Sequence, residues 1–416
     1  MDMRAWAPAA VLGAVLSVVP SVAGAQGGLT ARARVLGGYT HQTPPIFGST
    51  HDYWTGVMPE LSYLALEDPR GLLRLTYGFT AAVHTRDPVE VANRLTLVSS
   101  YELSKRTTFL LSADAYQSSL SNYLVTQPVI DTAVLVLPTF NARLLTATGG
   151  EALAWAASPS VNLAQTLEAV YARSLDPEVD IDNFFTTLVL SAEHTWNVDG
   201  LGGELRTGFA SLHTAPLPDQ RFVTLTAAPR WRHDYTPELS SSLSAGASLV
   251  LSPDDGSRTL VVPYGHASLL YTLGPTSAEL SYAGGTQPSA LIGQMLRAHV
   301  VTLRGTTPLS ERGQVVLGGS VGYLHGSVVD LRPGAVPIDD FDSVVGSADL
   351  SWAVTDWMQL FVRGLFTAQN GAGATELSAR EAVTLGIQLS TSPADGIVVP
   401  RRLPQRVDGT DVTPLR

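Results

Sequence analysis

The side chains that could bind a solute are isolated charges that alternate with apolar residues. Guanidinium groups form paired hydrogen bonds with carboxylates and hydroxyls, so such charges suit saccharides and anions. The arginines of this set are Arg32, Arg34, Arg74, Arg94, Arg206, Arg230, Arg232, Arg304 and Arg363. The carboxylates are Glu102, Asp114, Glu168, Glu193, Glu204, Asp234, Glu279 and Asp349. Two interpretations stay open: a ladder of sites for a sugar polymer or anionic solute, or a self-neutralising network that stiffens a wall. Because the arginines and carboxylates are nearly equal in number, the sequence predicts no preference for cations or for anions.

Catalytic and metal chemistry have little support in the sequence. There is no H-E-x-x-H and no Walker sequence, and no segment groups a nucleophile with a base. We therefore expect no enzyme activity and no cofactor. The absence of cysteine excludes disulfides and thiolate metal sites. His41, His51 and His84 fall in neighbouring predicted outer loops, where we expect isolated histidines rather than a metal site.

The elements that must position these charges are β-strands. "GLLRLTYGFTAAV", residues 71–83, places Leu75, Tyr77 and Phe79 on one parity and polar or small residues on the other. That is the period of a strand whose two faces meet different surroundings. The pattern recurs along the chain and predicts about 18 strands of roughly 10–14 residues. The sixth is the weakest, because Gly149 and Gly150 blur its parity and suggest a bulge.

Three features of the sequence indicate what surrounds the apolar face of the strands. Only 15% of residues are charged, where about a quarter is usual in soluble proteins. Tyr and Trp recur near strand ends on the apolar parity, as in interfacial girdles. Short turns alternate with long connections, as in outer-membrane barrels. The predicted fold is all-β: a closed antiparallel transmembrane β-barrel of about 18 strands, with short periplasmic turns and long extracellular loops. A soluble β-sandwich or propeller is the alternative.

The ends of the chain differ from its body. Residues 1–25 combine Arg4, an apolar stretch and Ala23-Gly24-Ala25, as in a signal peptide cleaved near Ala25. Residues 26–391 then form the barrel, in the outer membrane of a Gram-negative cell and in contact with its lipid. Residues 392–416 are a predicted periplasmic tail that contains Pro and Arg, either disordered or docking a partner through Arg401, Arg402 and Arg406. The net charge of −11 argues against nucleic acid.

The connection at residues 119–141 is long and unusually apolar. Exposed loops are normally polar, so we expect this segment to be buried. It either folds into the barrel interior as a constriction or plug, or extends the barrel as an extra hairpin.

The alternating turns, hairpins such as "SYELSKRTTFLLSADAY" and the arginine-dominated basic residues resemble a known group. They are similar to the outer-membrane barrels of myxobacterial exopolysaccharide export (Wzp-type porins), which resemble the 18-stranded alginate exporter in architecture. The resemblance covers the mature chain and carries no residue-specific motif. It implies passage of a polysaccharide cargo delivered by a periplasmic polysaccharide-export protein. The alternatives are a general or sugar-specific diffusion porin, and a plugged structural or adhesive barrel.

Overall fold

The computed structural model describes residues 28–43, 51–68, 70–85, 89–119, 143–215, 219–253, 258–289, 293–329, 340–370 and 378–391. Its strands are β1 (Leu29–Thr43), β2 (His51–Asp68), β3 (Gly71–His84), β4 (Glu90–Ser104), β5 (Thr107–Ser119), β6 (Arg143–Ser158), β7 (Val161–Ser174), β8 (Asp182–Trp196), β9 (Asp199–Leu212), β10 (Gln220–Asp234), β11 (Leu239–Ser252), β12 (Arg258–Leu273), β13 (Thr276–Ser289), β14 (Gln294–Pro308), β15 (Val315–Val328), β16 (Phe341–Thr355), β17 (Met358–Asn370) and β18 (Ser378–Ser390). No helix in these ranges is long and apolar enough to cross a membrane.

The strands form one closed sheet. Each strand pairs antiparallel with its neighbours in the chain, and β1 pairs with both β2 and β18. The last pairing leaves no open edge, which removes the unpaired backbone groups that an open sheet exposes. The predicted closed barrel of about 18 strands is confirmed.

The two ends of the barrel differ in their connections. At one end, which we call the short-turn end, strands are joined by turns such as 105–106, 159–160 and 356–357. At the other, the long-loop end, connections include 120–142 and 329–340. Register shifts occur beside short turns, for example between Ala156 and Ser158 in β6. The bulge expected at Gly149-Gly150 is absent, because both glycines pair in continuous register.

Alternation gives the sheet one apolar and one mixed face. Large apolar side chains exposed on the first face include Tyr77, Leu95, Leu205, Leu225, Val261, Leu303, Val321, Leu350, Val362 and Leu385. On the second face, side chains from non-adjacent strands meet: the guanidinium of Arg206 on β9 lies 5.2 Å from the ring centre of Tyr264 on β12, three strands away. Only side chains pointing into the barrel can converge in this way. The mixed face therefore lines the interior, and the apolar face is the outer surface.

The interior is packed with apolar side chains towards the long-loop end. One cluster joins Leu296, Ala298, Val300, Leu324, Phe341 and Val345 on β14–β16. A second joins Ala210, Leu212, Phe222, Val250, Val262, Met295 and Val329. Leu296, Leu324 and Phe341 have no exposed surface, so water does not reach this part of the wall.

Candidate functional site: the polar interior wall

All the charged residues singled out from the sequence lie on strands and on the interior face. Those in β1–β7 are Arg32, Arg34, Arg74, Arg94, Glu102, Asp114 and Glu168. Those in β8–β17 are Glu193, Glu204, Arg206, Arg230, Arg232, Asp234, Glu279, Arg304, Asp349 and Arg363. Strand alternation places them there, because each charged residue has the parity opposite to that of the exposed apolar residues in its strand.

The densest group lies on β8, β9 and β10 near the short-turn end. Glu193 Oε1 is 3.2 Å from Arg232 Nη1, and Glu193 Oε2 is 3.9 Å from Arg230 Nη1. Glu204 accepts a 3.2 Å hydrogen bond from Nε of Arg206, whose guanidinium lies 5.2 Å from the ring centre of Tyr264. The Arg230 and Glu193 side chains are only 7% and 12% exposed. At this burial, paired charges fix one another's positions, because leaving either alone is costly.

Other interior charges form more exposed pairs. Arg94 binds Asp114 through Nε at 2.8 Å, and Thr96 donates to the same carboxylate. Arg304 Nε lies 2.6 Å from Glu279 Oε2. Arg232 also approaches Asp234, at 3.6 Å. By contrast, Arg74 and Glu102 make no ion pair with another described residue.

Arginines gather on the wall formed by β17, β18 and β1–β4. Arg34 donates a 2.8 Å hydrogen bond to Gln388, which in turn donates to Gln359. Within its electrostatic reach lie Arg32, Arg94 and Arg363, with Glu60 as the acidic residue. Glu60 is held by Arg32 at 3.2 Å. Asp114 binds Arg94, and Asp349 lies near Arg363, so the four arginines around Arg34 meet three carboxylates and leave an excess of one arginine.

The interior carries an ionic cluster that sequence reasoning missed, at the long-loop end. His84 Nδ1 contacts Asp52, and His84 Nε2 lies 3.4 Å from Glu90. Arg380 of β18 interacts electrostatically with both carboxylates. Asp52 and Glu90 precede the strands that alternation predicts at residues 55–66 and 91–103, so the sequence assigned neither residue to a face. Arg380 and Glu60 were detectable, since each shares parity with inward polar residues of its strand.

The histidine prediction needs correction. His41, His51 and His84 are in strands β1, β2 and β3, not in loops: His41 and His84 lie at or near the ends of β1 and β3, and β2 begins earlier than the alternation indicated. His84 faces the interior, whereas His41 and His51 are register partners on the outer surface with ring centres 4.6 Å apart. His84 is therefore separated from the other two by the sheet, while His41 and His51 are not isolated.

Two connections at the long-loop end are held by ion pairs. His213 lies between Asp180 (3.0 Å) and Asp219 (2.6 Å), and these two hydrogen bonds raise its pKa to about 9. Asp176 is partly desolvated, which opposes ionisation, but hydrogen bonds from the backbone and side chain of Arg143 outweigh this and lower its pKa.

One serine lies in a sequence pattern that is associated with nucleophilic catalysis. Gly318, Ser320 and Gly322 form a G-x-S-x-G sequence. Ser320 lies within β15, with its Oγ 2.6 Å from Ser347 Oγ. A nucleophile elbow instead needs a sharp strand-to-helix turn and an adjacent base. This serine lacks that geometry.

The predicted signal peptide, the tail with Arg401, Arg402 and Arg406, and residues 120–142 lie outside the described residues. Their roles remain predictions.

Comparisons with known proteins give likeness at the level of fold. No protein-family model matches the chain, and no curated protein matches it. OpdK of Pseudomonas aeruginosa is 12% identical, with 87% of this chain and 99% of that chain covered, at a TM-score of 0.42. OccK2 (OpdF) of P. aeruginosa, in complex with glucuronate, is 13% identical, with 88% and 100% covered, at 0.43. The alcaligin outer-membrane receptor FauA of Bordetella pertussis is 11% identical, with 86% and 75% covered, at 0.42. Likeness at this level does not extend their ligands to this chain.

Proposed function

We propose that the chain is an outer-membrane β-barrel channel whose interior accepts hydroxyl-rich and carboxylate-bearing solutes, saccharides among them. The apolar outer surface suits hydrocarbon, and a closed sheet satisfies its backbone hydrogen bonds within the sheet, as a membrane span requires. An 18-stranded barrel has room for an aqueous interior.

The observation that carries this proposal is the local excess of arginine around Arg34. Arg32, Arg94 and Arg363 surround it; Glu60, Asp114 and Asp349 offset three of the four charges, and Arg34 donates its hydrogen bond to the neutral Gln388. Guanidinium groups bind carboxylates and hydroxyls through paired hydrogen bonds, and the partly exposed Arg32 and Arg94 can offer these to a passing solute. The polar residues between them, such as Gln388 and Gln359, add neutral donors and acceptors.

The packed long-loop half argues against a permanently open general diffusion pore. Leu296, Leu324 and Phe341 are fully buried on β14–β16, and a second buried cluster includes residues of β9–β12 and β14. The proposal therefore includes an apolar barrier at this end of the interior. In this proposal, passage requires a second state in which these side chains separate.

The finer proposal, from the sequence resemblance, is that the cargo is an exopolysaccharide delivered by a periplasmic polysaccharide-export protein. Saccharide hydroxyls are partners for the same guanidinium groups. A deletion strain distinguishes polymer from small solutes. Loss of secreted polymer with intact small-solute uptake supports polymer passage, whereas normal secretion with lost uptake leaves only the small-solute channel.

The channel itself is tested in planar bilayers. Purified full-length protein is expected to conduct in brief openings and to pass a sugar acid in preference to an organic cation of similar size. Arg34→Gln, which keeps a hydrogen-bonding group, is expected to reduce that preference. A barrel that never conducts, or that prefers the cation, would contradict the proposal.

A further inference from the structure

Four of the nine histidines lie in two similar rows on the outer surface near the long-loop end. The first row, which we call the seam row, is Glu381 of β18, His41 of β1 and His51 of β2. His41 is the register partner of Glu381 on one side and of His51 on the other. The row crosses the seam where the first and last strands of the barrel pair.

The seam row brings its two imidazoles together. The ring centres of His41 and His51 are 4.6 Å apart, with planes at 43°. Hydroxyls orient each ring through one nitrogen: Tyr39 Oη is 2.6 Å from His51 Nδ1, and Thr43 Oγ1 is 3.3 Å from His41 Nε2. Metal-binding histidines are usually held by such a hydrogen bond to the second ring nitrogen.

The same composition recurs on β14–β16. His325 is the register partner of His299 on one side and of Asp342 on the other. His325 Nδ1 is 3.0 Å from Asp342, and Tyr282 Oη is 2.9 Å from His299 Nδ1. We call this the sister row. Each row therefore combines two histidines and one carboxylate on three consecutive strands, and in each row a tyrosine hydroxyl lies close to a ring nitrogen of one histidine.

We propose that the seam row binds a divalent transition-metal ion such as Zn²⁺ through His41, His51 and Glu381. Imidazole and carboxylate are ligands that Zn²⁺ favours, at about 2.0–2.2 Å. Directly paired residues on adjacent antiparallel strands have Cβ atoms about 4.5–5.5 Å apart, within reach of one ion for two histidines. The carboxylate favours a cation over a phosphate-type anion, which it would repel.

Binding requires one local adjustment. Among the described residues, no three His, Asp or Glu side chains converge on one point as placed. The side chain of Glu381 must therefore turn towards His41, which its flexible chain allows. Such an ion would link β18, β1 and β2 and so fasten the seam of the barrel. In the sister row, Asp342 is already held by Tyr323 and His325, which favours the seam row.

The test is calorimetric titration of Zn²⁺ into the purified, tag-free full chain in detergent. We expect saturable binding that His51→Ala weakens by tenfold or more and that Glu381→Gln weakens less. His194→Ala is the matched control, because His194 also lies on the outer surface beside an aromatic residue, Trp196, but without a second histidine. This control should leave the affinity unchanged.

A Co²⁺ titration gives an independent readout. The visible absorption of bound Co²⁺ reports on its coordination, and it should be lost in His51→Ala while the strand signal in circular dichroism is kept. The proposal is overturned if the wild-type chain does not bind Zn²⁺, or if affinity survives both seam-row substitutions. Loss of binding on His299→Ala alone would place the ion in the sister row and would equally overturn it. The proposed channel activity does not depend on any of these outcomes.

Discussion

The two ends of the barrel interior differ in the polarity of their side chains and in their contact with water. Near the short turns, the wall carries charges such as Arg232, Asp234 and Arg304, which are paired but still reached by water. Near the long loops, the same inward parity of β14–β16 carries Leu296, Leu324 and Phe341, from which water is excluded, while the ionic cluster around His84 lies on β2–β4 and β18. One strand, β14, contains both kinds of position, with Arg304 and Leu296 eight residues apart on one face.

This difference assigns solute binding and closure of the proposed channel to different parts of the interior. A charged, hydrated wall can exchange its ion pairs for contacts with a solute, since exposed pairs contribute little stability. A close-packed apolar wall cannot do so without breaking many contacts at once. The short-turn half therefore suits recognition and the long-loop half suits a barrier, so each should respond differently to substitution.

The largest effect is expected from Phe341→Ala. Removing this fully buried ring should lower the free energy of unfolding by about 3–5 kcal/mol, through lost burial and a residual cavity. It should also lengthen channel openings, because the barrier is thinned. Urea unfolding and bilayer recordings measure the two effects. Leu303→Ala, on the outward-facing side of β14, should cost much less; equal losses would show that the long-loop half is not specially packed.

The next effect concerns the charged half. Glu193→Gln removes the carboxylate shared by Arg230 and Arg232 and should destabilise the fold by about 3 kcal/mol, since Arg230 is only 7% exposed. Asp114→Asn is the comparison, because its partner Arg94 is 45% exposed and such pairs contribute about 1 kcal/mol or less. Urea unfolding of both variants checks this order. The reverse order would mean that burial does not determine the strength of these pairs.

A smaller effect is expected at Gly38, where the indole of Trp54 crosses β1. A Cβ atom at this position would lie 2.5 Å from the ring, so Gly38→Ala must displace it at a cost of about 1–3 kcal/mol. Gly364→Ala is the control, since no heavy atom lies within 4 Å of its added methyl group. A shift in tryptophan fluorescence should accompany only the first substitution. An unchanged spectrum and stability would contradict the close approach of Trp54.

The smallest effect is the pH dependence of the His213 contacts. Its pKa of about 9 exceeds the ordinary value of about 6.5, so the imidazolium stabilises the fold fully below about pH 6.5. This contribution is lost as the pH rises towards 9. Amide exchange of Asp182 and Ala215, which bond across the two connections, should therefore be faster at pH 10 than at pH 6, after correction for intrinsic rates. His213→Gln should remove this difference; if the difference persists, another group is responsible.

Sequence alternation predicted much of this architecture. The period of two identified the strands and assigned Arg94, Glu193 and Arg304 to one face, because a strand leaves only two choices of side. It could not reveal the packed long-loop half. In "QMLRAHVVTLRG", Leu296 and Val300 point inward while Val301 and Leu303 point outward, so apolar residues on both faces blur the alternation.

The sequence alone also could not predict that other arginines lie close to Arg34. Arg34 of β1 and Arg363 of β17 are more than three hundred residues apart and approach one another because both strands pair with β18. The partnership of Arg32 with Glu60 likewise depends on strand register, which alternation alone does not fix.

Three single-cysteine variants of β14 test the central claim directly, since the chain has no cysteine of its own. Arg304→Cys, Val300→Cys and Leu303→Cys probe the hydrated interior, the packed interior and the outer surface within five residues. In lipid vesicles, a membrane-impermeant maleimide should modify only Arg304→Cys, whereas all three variants should react after unfolding in urea. Equal reactivity of Leu303→Cys and Arg304→Cys in vesicles would show that hydrocarbon does not cover the apolar face, and the account would fail.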